Sequence, residues 1–387
     1  MKSLEFKGSG TEYFKIWIVN ALLIILTLGL YYPWAKVRRN RYFYGNSVLG
    51  ERNFEYHAVG KQIFLSYLVA LILFIAYVAI SQVFPPAGSV FMLILFIFIP
   101  WIVVKSMMFN FKMTSFSNVR FSFNKNFSEA YINLLLLPMA FYGIFIISAM
   151  IAGGLFALHY ILGIIGVIGV FAFVIFTFAF FKKRNSEFFI NNTNYGQGKF
   201  IANLNIKELS KISAKVMGIG LALMLVLFII AGIIVSATVG LEALQAASES
   251  LKNPEQGREG ASVVFAMIGA LYIGMIFIIL LVNAYSFALY RKYIYDNTLF
   301  DEKIKFASTL KGSTYMWVVF SNFFLVLFTL GFGAPWAKVR AAKVVLTNTH
   351  IDTSHGFDEY ISQAQAQTSA IGDQIGDAFD VDVGIGF

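Results

Sequence analysis

Asn20, Thr27, Trp34, Lys36 and Arg38 stand in a spacing that returns near the other end of the chain as Asn322, Thr329, Trp336, Lys338 and Arg340, 302 residues on. Thr-Leu-Gly at 27–29 and 329–331 and Pro-Trp-Ala-Lys-Val-Arg at 33–38 and 335–340 complete each copy. Such a recurrence marks a shared structural element. Its residue types support two chemistries. An amide and a hydroxyl within an apolar stretch can line a polar path for a solute, which makes Asn20, Thr27, Asn322 and Thr329 candidates. The plainer alternative is that the asparagines bond between helices and fix packing, worth roughly 1 kcal/mol each. An indole beside lysine and arginine can take an anionic lipid headgroup, which makes Trp34, Lys36, Arg38, Trp336, Lys338 and Arg340 a candidate lipid or interface site. Simple anchoring at headgroup level asks for the same residues.

Catalytic chemistry finds little to work with. No phosphate-binding glycine loop and no serine-nucleophile elbow occurs. His350-x-Asp352-x2-His355 fits neither the helical two-histidine zinc motif nor a calcium loop. Cysteine is absent, so disulfides and thiolate metal sites are excluded. The apolar runs hold no Asp or Glu, which weighs against a carboxylate ion relay. The expectation is therefore no enzyme, no metal and no cofactor.

The elements that carry these residues belong to a membrane. Of 387 residues, 58% are hydrophobic and 13% charged, and the mean hydropathy is +0.71, against roughly 25% charged residues in a soluble domain. Eight apolar runs follow, near 16–32, 63–84, 90–109, 132–156, 160–181, 212–239, 261–290 and 315–334, several longer than the roughly 20 residues that cross a bilayer. Their all-round hydrophobicity predicts helices rather than a membrane barrel. Lys and Arg crowd the connections after the first, third, fifth and seventh runs, which reads as cytoplasmic. The turns at 81–89 and 157–160 and the acidic stretch 240–260 read as external. The first and last runs are basic on both flanks. Two arrangements answer this: eight ordinary spans with a tolerated violation, or six spans plus two terminal Pro-Trp elements that re-enter on the cytoplasmic side. Both termini are expected in the cytoplasm.

A second pattern recurs five times where a run ends: Asn46-Ser47, Thr114-Ser115, Asn192-Thr193, Asn297-Thr298 and Asn348-Thr349, each after basic or aromatic residues. Asn with Ser or Thr forms side-chain-to-backbone bonds in turns. The segments at 54–56, 119–123 and 303–306 then alternate as half-buried strands do. Short cytoplasmic β-hairpins are expected, assembled into one layer because loose edges need pairing. The reading is an all-α polytopic membrane protein bearing these hairpins. Its domains are a membrane domain of repeated helix-hairpin units over 1–351 and an acidic cytoplasmic tail over 352–387, with seven Asp and Glu and no Lys or Arg.

The stretch Glu12-Tyr13-Phe14-Lys15-Ile16-Trp17-Ile18-Val19-Asn20, then Leu26–Tyr31 and Pro33–Arg39, resembles the YjgN family of bacterial inner-membrane proteins, and the likeness runs over nearly the whole length. That resemblance implies a polytopic, multi-pass protein of the bacterial inner membrane and carries over no catalytic or binding residue. One departure from it is Thr114-Ser115 where the pattern reads Asn-Thr. Transport or binding of a small solute or lipid is the leading expectation, with membrane lipids, anionic ones included, as partners and nucleic acid excluded. A structural or assembly protein that recruits a cytoplasmic partner is the alternative, and a membrane enzyme comes third.

Overall fold

The computed structural model describes residues 1–238, 258–354, 357 and 359–366. The acidic stretch expected outside the membrane, His355 and most of the acidic tail lie outside the described residues. Within them the chain is one unit repeated five times: a five-residue strand, two helices, and a three-residue strand. Unit I is β1 (Lys2–Phe6), α1 (Gly10–Leu26), α2 (Tyr32–Gly45) and β2 (Ser47–Leu49). Unit II is β3 (Arg52–Tyr56), α3 (Gly60–Val83), α4 (Pro85–Lys112) and β4 (Thr114–Phe116). Unit III is β5 (Val119–Phe123), α5 (Phe127–Leu158), α6 (Tyr160–Asn191) and β6 (Thr193–Tyr195), with a π-helical turn at Ile132–Leu136 inside α5. Unit IV is β7 (Gly198–Ala202), α7 (Ile206–Thr238), α8 (Arg258–Asp296) and β8 (Thr298–Phe300). Unit V is β9 (Ile304–Ser308), α9 (Gly312–Phe328), α10 (Ala334–Thr347) and β10 (Thr349–Ile351).

The strands form a closed antiparallel barrel in which each unit's short strand pairs with the next unit's long strand. Closure is made by the chain ends, Lys2 opposite Ile351 and Ser3 opposite His350. The hairpins expected as a layer are thus a ten-stranded barrel without edges, and "all-α" describes only the larger, helical part. The Asn-Ser/Thr pairs explain how each second helix stops and turns into a strand. The Ser or Thr hydroxyl donates to the carbonyl four residues back in all five units: Ser47 to Phe43, Thr114 to Asn110, Thr193 to Phe189, Thr298 to Ile294 and Thr349 to Val345. The preceding asparagine amide does the same in four, at Asn46, Asn192, Asn297 and Asn348. Two otherwise orphaned helix-terminal carbonyls are satisfied in this way. The register corrects one reading of the repeat: Met113-Thr114, not Thr114-Ser115, stands in the Asn-Thr place, so unit II keeps the threonine and loses the amide.

Alternation along the strands turns an apolar set inward. Leu49, Phe116, Tyr195, Phe300 and Ile351 end the short strands, and Phe54, Phe121, Phe200 and Phe306 sit mid-strand in the long ones, all in one core. The start of the acidic tail joins that core. Residues 359–366 are helical, Phe357, Ile361 and Ala364 are buried against the barrel, and Ile361 has no exposed surface. Tyr360 Oη donates to the Tyr195 carbonyl and accepts from the Gly198 N–H at 2.7 Å, and the Gln365 amide donates to the Ser117 carbonyl at 2.6 Å. These partners lie at hairpin tips, at the barrel end away from the helices, so the segment is a lid over that mouth.

Helix packing follows the same circle: α1 to α2, α2 to α3, and so on to α9 with α10, which returns to α1. Six helices among the described residues, α3 to α8, are long and apolar enough to cross a membrane. The chain is a polytopic helical membrane protein. The first and last apolar runs instead make the short hairpins α1–α2 and α9–α10, of 17 and 14 residues each.

Candidate functional site

The two Pro-Trp elements are superimposable in their chemistry. Leu28 and Leu330 take φ of 49° and 51°, and Gly29 and Gly331 φ of 92° and 93°. Left-handed backbone is rare for leucine and is held by the threonine before it. Thr27 Oγ1 donates to the Leu23 carbonyl at 2.7 Å and accepts from the Tyr31 N–H at 3.0 Å; Thr329 Oγ1 does the same with Leu325 at 2.6 Å and Gly333 at 2.6 Å. Both hydroxyls are therefore committed to the turn. Pro33 and Pro335 then open the return helices within the first turn, where an amide hydrogen has no partner to lose.

Each tryptophan seals the seam to the following unit. Trp34 covers Gly60, the first residue of α3, and lies 5.1 Å from Phe64; Trp336 covers Gly10, the first residue of α1, and lies 5.0 Å from Phe14. A β-carbon on either glycine would fall inside the indole. Tyr285 covers Gly312 of unit V in the same manner. Sequence reading missed these glycines, although the Gly-x3-Phe spacing at 10–14 and 60–64 carried the signal. Each tryptophan keeps rather more than a third of its surface exposed, 36% for Trp34 and 39% for Trp336.

The cations divide between two faces. Arg38 lies over the Tyr31 ring at 5.7 Å, and Arg340 donates to Ser321 Oγ of its own hairpin at 2.8 Å. Lys36 and Lys338 stand two residues earlier, about 200° around the helix from them. The Lys338 ammonium is held below the ordinary lysine range, first by burial and then by the charge of Arg39 from unit I. Asn20 is buried and its Oδ1 has no partner; Asn322 donates to the Ala337 carbonyl at 3.0 Å and its Oδ1 is likewise unpartnered. A buried amide oxygen without a donor is uncommon, and here it occurs at the same position of both hairpins. His350 faces Thr309 at 3.1 Å, and no group of three His, Asp or Glu side chains able to hold a metal occurs among the described residues.

Above the barrel the helices leave their surfaces open. Ile72, Leu73, Phe74 and Ile75 of α3 are all exposed, as are Phe96 to Ile99 of α4 and Ile144 to Ile147 of α5. Four consecutive residues at about 100° each span most of a helix's circumference, so these helices are uncovered toward the inside of the circle as well as the outside. In none of the six long helices is more than 17% of the most apolar stretch buried.

Comparison with known proteins gives a family and no activity. "Inner membrane protein YjgN" of Salmonella typhimurium is 28% identical over 358 residues, 90% of this chain and 88% of its own length. The proteins of the same name from Escherichia coli O157:H7 and K12 are 38% and 37% identical over 123 residues, about a third of each chain. No solved structure matches. Residues 1–378 match the family described as "Bacterial protein of unknown function (DUF898)", and the chain belongs to that family.

Proposed function

We propose that this is a multi-pass inner-membrane protein that binds lipid, or a small lipid-like solute, within its circle of helices. The observation that carries the reading is the all-round exposure of α3, α4 and α5. A protein-filled interior would bury their inner faces, and in a bilayer the fluid that covers apolar surface is acyl chain. In this reading the helix side is membrane and the barrel and both termini are cytoplasmic, which suits the basic connections. The two terminal hairpins re-enter: α1 rises about 26 Å and α2 about 21 Å at 1.5 Å per residue, short of a roughly 30 Å core, and both ends of each hairpin join the barrel. Units V and I are neighbours, so their short hairpins form a low stretch of wall through which lipid exchanges. The unpartnered amide oxygens of Asn20 and Asn322 lie in that stretch and offer acceptors to a polar group that passes.

A photoreactive side chain placed in turn at Ile72, Leu73, Phe74 and Ile75 tests this in native membranes. Lipid adducts at all four positions are expected. Adducts confined to the outward pair, with protein cross-links at the others, would overturn the reading. The lidded barrel favours a second reading, a scaffold whose cytoplasmic mouth recruits a protein partner. That reading expects cross-links from Glu51 and Asn118 at the hairpin tips to a second protein, and a helix circle without lipid inside.

A further inference from the structure

The five long strands of the barrel start with equivalent residues, and two of the five break the pattern. Each of these residues lies two positions before the inward side chain at mid-strand, Leu4, Phe54, Phe121, Phe200 or Phe306, and therefore has the same inward phase. In β5, β7 and β9 the residue is Val119, Gly198 or Ile304, and both Val119 and Ile304 belong to the core. In β1 and β3 it is Lys2 and Arg52. Leu4 stands opposite Leu49 of β2, and Leu49 opposite Arg52, so the two cations flank one short strand, on long strands roughly 10 Å apart. A cavity of about 310 Å³ opens there. Lys2 and Arg52 line it from the barrel, Gly50 and Glu51 from the turn that joins β2 to β3, and Thr353 and Phe357 from the start of the lid. The bonds of Tyr360 to Tyr195 and Gly198, and of Gln365 to Ser117, seat the lid over the β4–β5 and β6–β7 tips. The cavity lies at the β2–β3 tip, beside the junction of the chain ends. Gly50 keeps that turn open, since nothing lies within 4 Å of where its β-carbon would stand.

Size, place and charge define what fits. A volume of about 310 Å³ is near the lower limit of small-molecule sites, which run from roughly 300 to 1,000 Å³. The mouth lies at the barrel end away from the helices, so its ligand comes from aqueous solution and not from acyl chains. Two cations where the repeat otherwise places apolar residues select an anion. An arginine fork matches the oxygens of a phosphate bidentately, and a lysine adds a compact charge. Arg52 also interacts within the protein, and its five N–H donors leave further bonds to give. Glu51 is the one carboxylate among the lining residues and is exposed at the tip. We propose that this cavity binds a small phosphorylated solute, with the phosphate between Lys2 and Arg52 and the neutral part toward Thr353 and Phe357. Phe357 is buried in one core with Ile361 of the lid. An occupied site therefore ties the lid to unit I and stabilises the closed mouth, as any ligand stabilises the state it binds. The site goes beyond the lipid-binding reading and does not depend on it.

The test titrates the full-length protein in neutral detergent with glycerol 3-phosphate, and with succinate as an anion of like charge, and follows binding by calorimetry. K2Q and R52Q remove the cations one at a time, and K2R keeps the charge. K211Q/K292Q, whose lysines pair with Glu208 and Asp296, is the control. Glycerol 3-phosphate is expected to bind more tightly than succinate. Its binding should weaken about tenfold or more in K2Q and in R52Q and persist in K2R and the control, and amide exchange across 359–366 should slow when it is bound. Absence of binding to the wild type at millimolar concentration overturns the proposal, as does undiminished binding to K2Q and R52Q. Loss in K2R equal to that in K2Q removes the charge from the account and overturns it too, which separates a lost cation from a variant that misfolds. Succinate bound as tightly as the phosphate ester overturns the assignment to phosphate. Binding that leaves exchange across 359–366 unchanged overturns the tie to the lid.

Discussion

The indole of Trp336 lies against the α-carbon of Gly10, and with that contact α10 closes onto α1. The seam it seals is the one the backbone does not cross: units V and I are joined by β1–β10 pairing and by α10 packed against α1 and β1. Gly10→Ala is expected to force the indole outward and to cost about 1–3 kcal/mol, the range for overpacking a filled site. Thermal unfolding in detergent measures it. In a cycle with Trp336→Ala the two losses should be strongly non-additive, because removing the indole makes room for the methyl; simple additivity would mean that the contact is incidental.

Thr27 and Thr329 each give and receive a hydrogen bond at a left-handed turn. Replacement of either by valine keeps the volume and removes both bonds, so a loss of about 1–2 kcal/mol is expected from each. Gly29→Ala and Gly331→Ala should be worse than their exposure implies, because φ near 92° is strained for any residue with a β-carbon. Hydrogen exchange at Leu28 and Leu330 would localise the effect to the hairpin tips. Unchanged exchange in the valine variants would remove the hydroxyl from the account.

How much of this was legible in the residues depends on the kind of signal. The Asn-Ser/Thr pairs announced five equivalent helix ends because the side chains that satisfy terminal carbonyls are few in type. The strands at 54–56 and 119–123 showed by alternation. β1 did not: Lys2 to Phe6 alternates as well, but besides β2 its partner is β10, at the other end of the chain, and closure between chain ends leaves no local trace. The role of Thr27 and Thr329 was hidden for the opposite reason. A threonine in an apolar run looks the same whether it faces a solute or caps its own turn. The apolar stripe that ties 357–364 to the barrel was masked by the acidic residues around it.

Orientation is open to a direct test, since the chain has no cysteine of its own. Single cysteines at Ser9 and Ser117 should react with an impermeant reagent only when the cytoplasmic face is opened. Ser89, at the far end of α4, should react from outside. Cysteines at Leu28 and Leu330, exposed in the protein at 94% and 89%, should react from neither side, because re-entrant tips end in hydrocarbon. Labelling of Leu28 from the external face would make the terminal hairpins spanning elements and restore the count of eight.

The lid is the part of the barrel that can be opened by chemistry alone. Ile361 is its fully buried anchor, and Ile361→Ala should release it partly, at about 2–5 kcal/mol. pH should release it as well. Burial holds the phenols of Tyr195 and Tyr360 above the ordinary tyrosine range, whereas a freed tyrosine ionises near pH 10. A group whose folded-state pKa is raised contributes stability that is intact below about pH 10 and is lost as the pH rises through its folded-state value. Spin labels on Q365C and S117C report the outcome, since Gln365 donates to the Ser117 carbonyl when the lid is seated. The distance distribution should stay narrow through neutral pH and broaden in alkali. Tyr360→Phe, which cannot ionise and cannot bond to Tyr195 or Gly198, should be broader at neutral pH and change less on raising it. A Tyr360→Phe variant as narrow as the wild type at neutral pH would show that the apolar contacts of Phe357 and Ile361 seat the lid without the phenol.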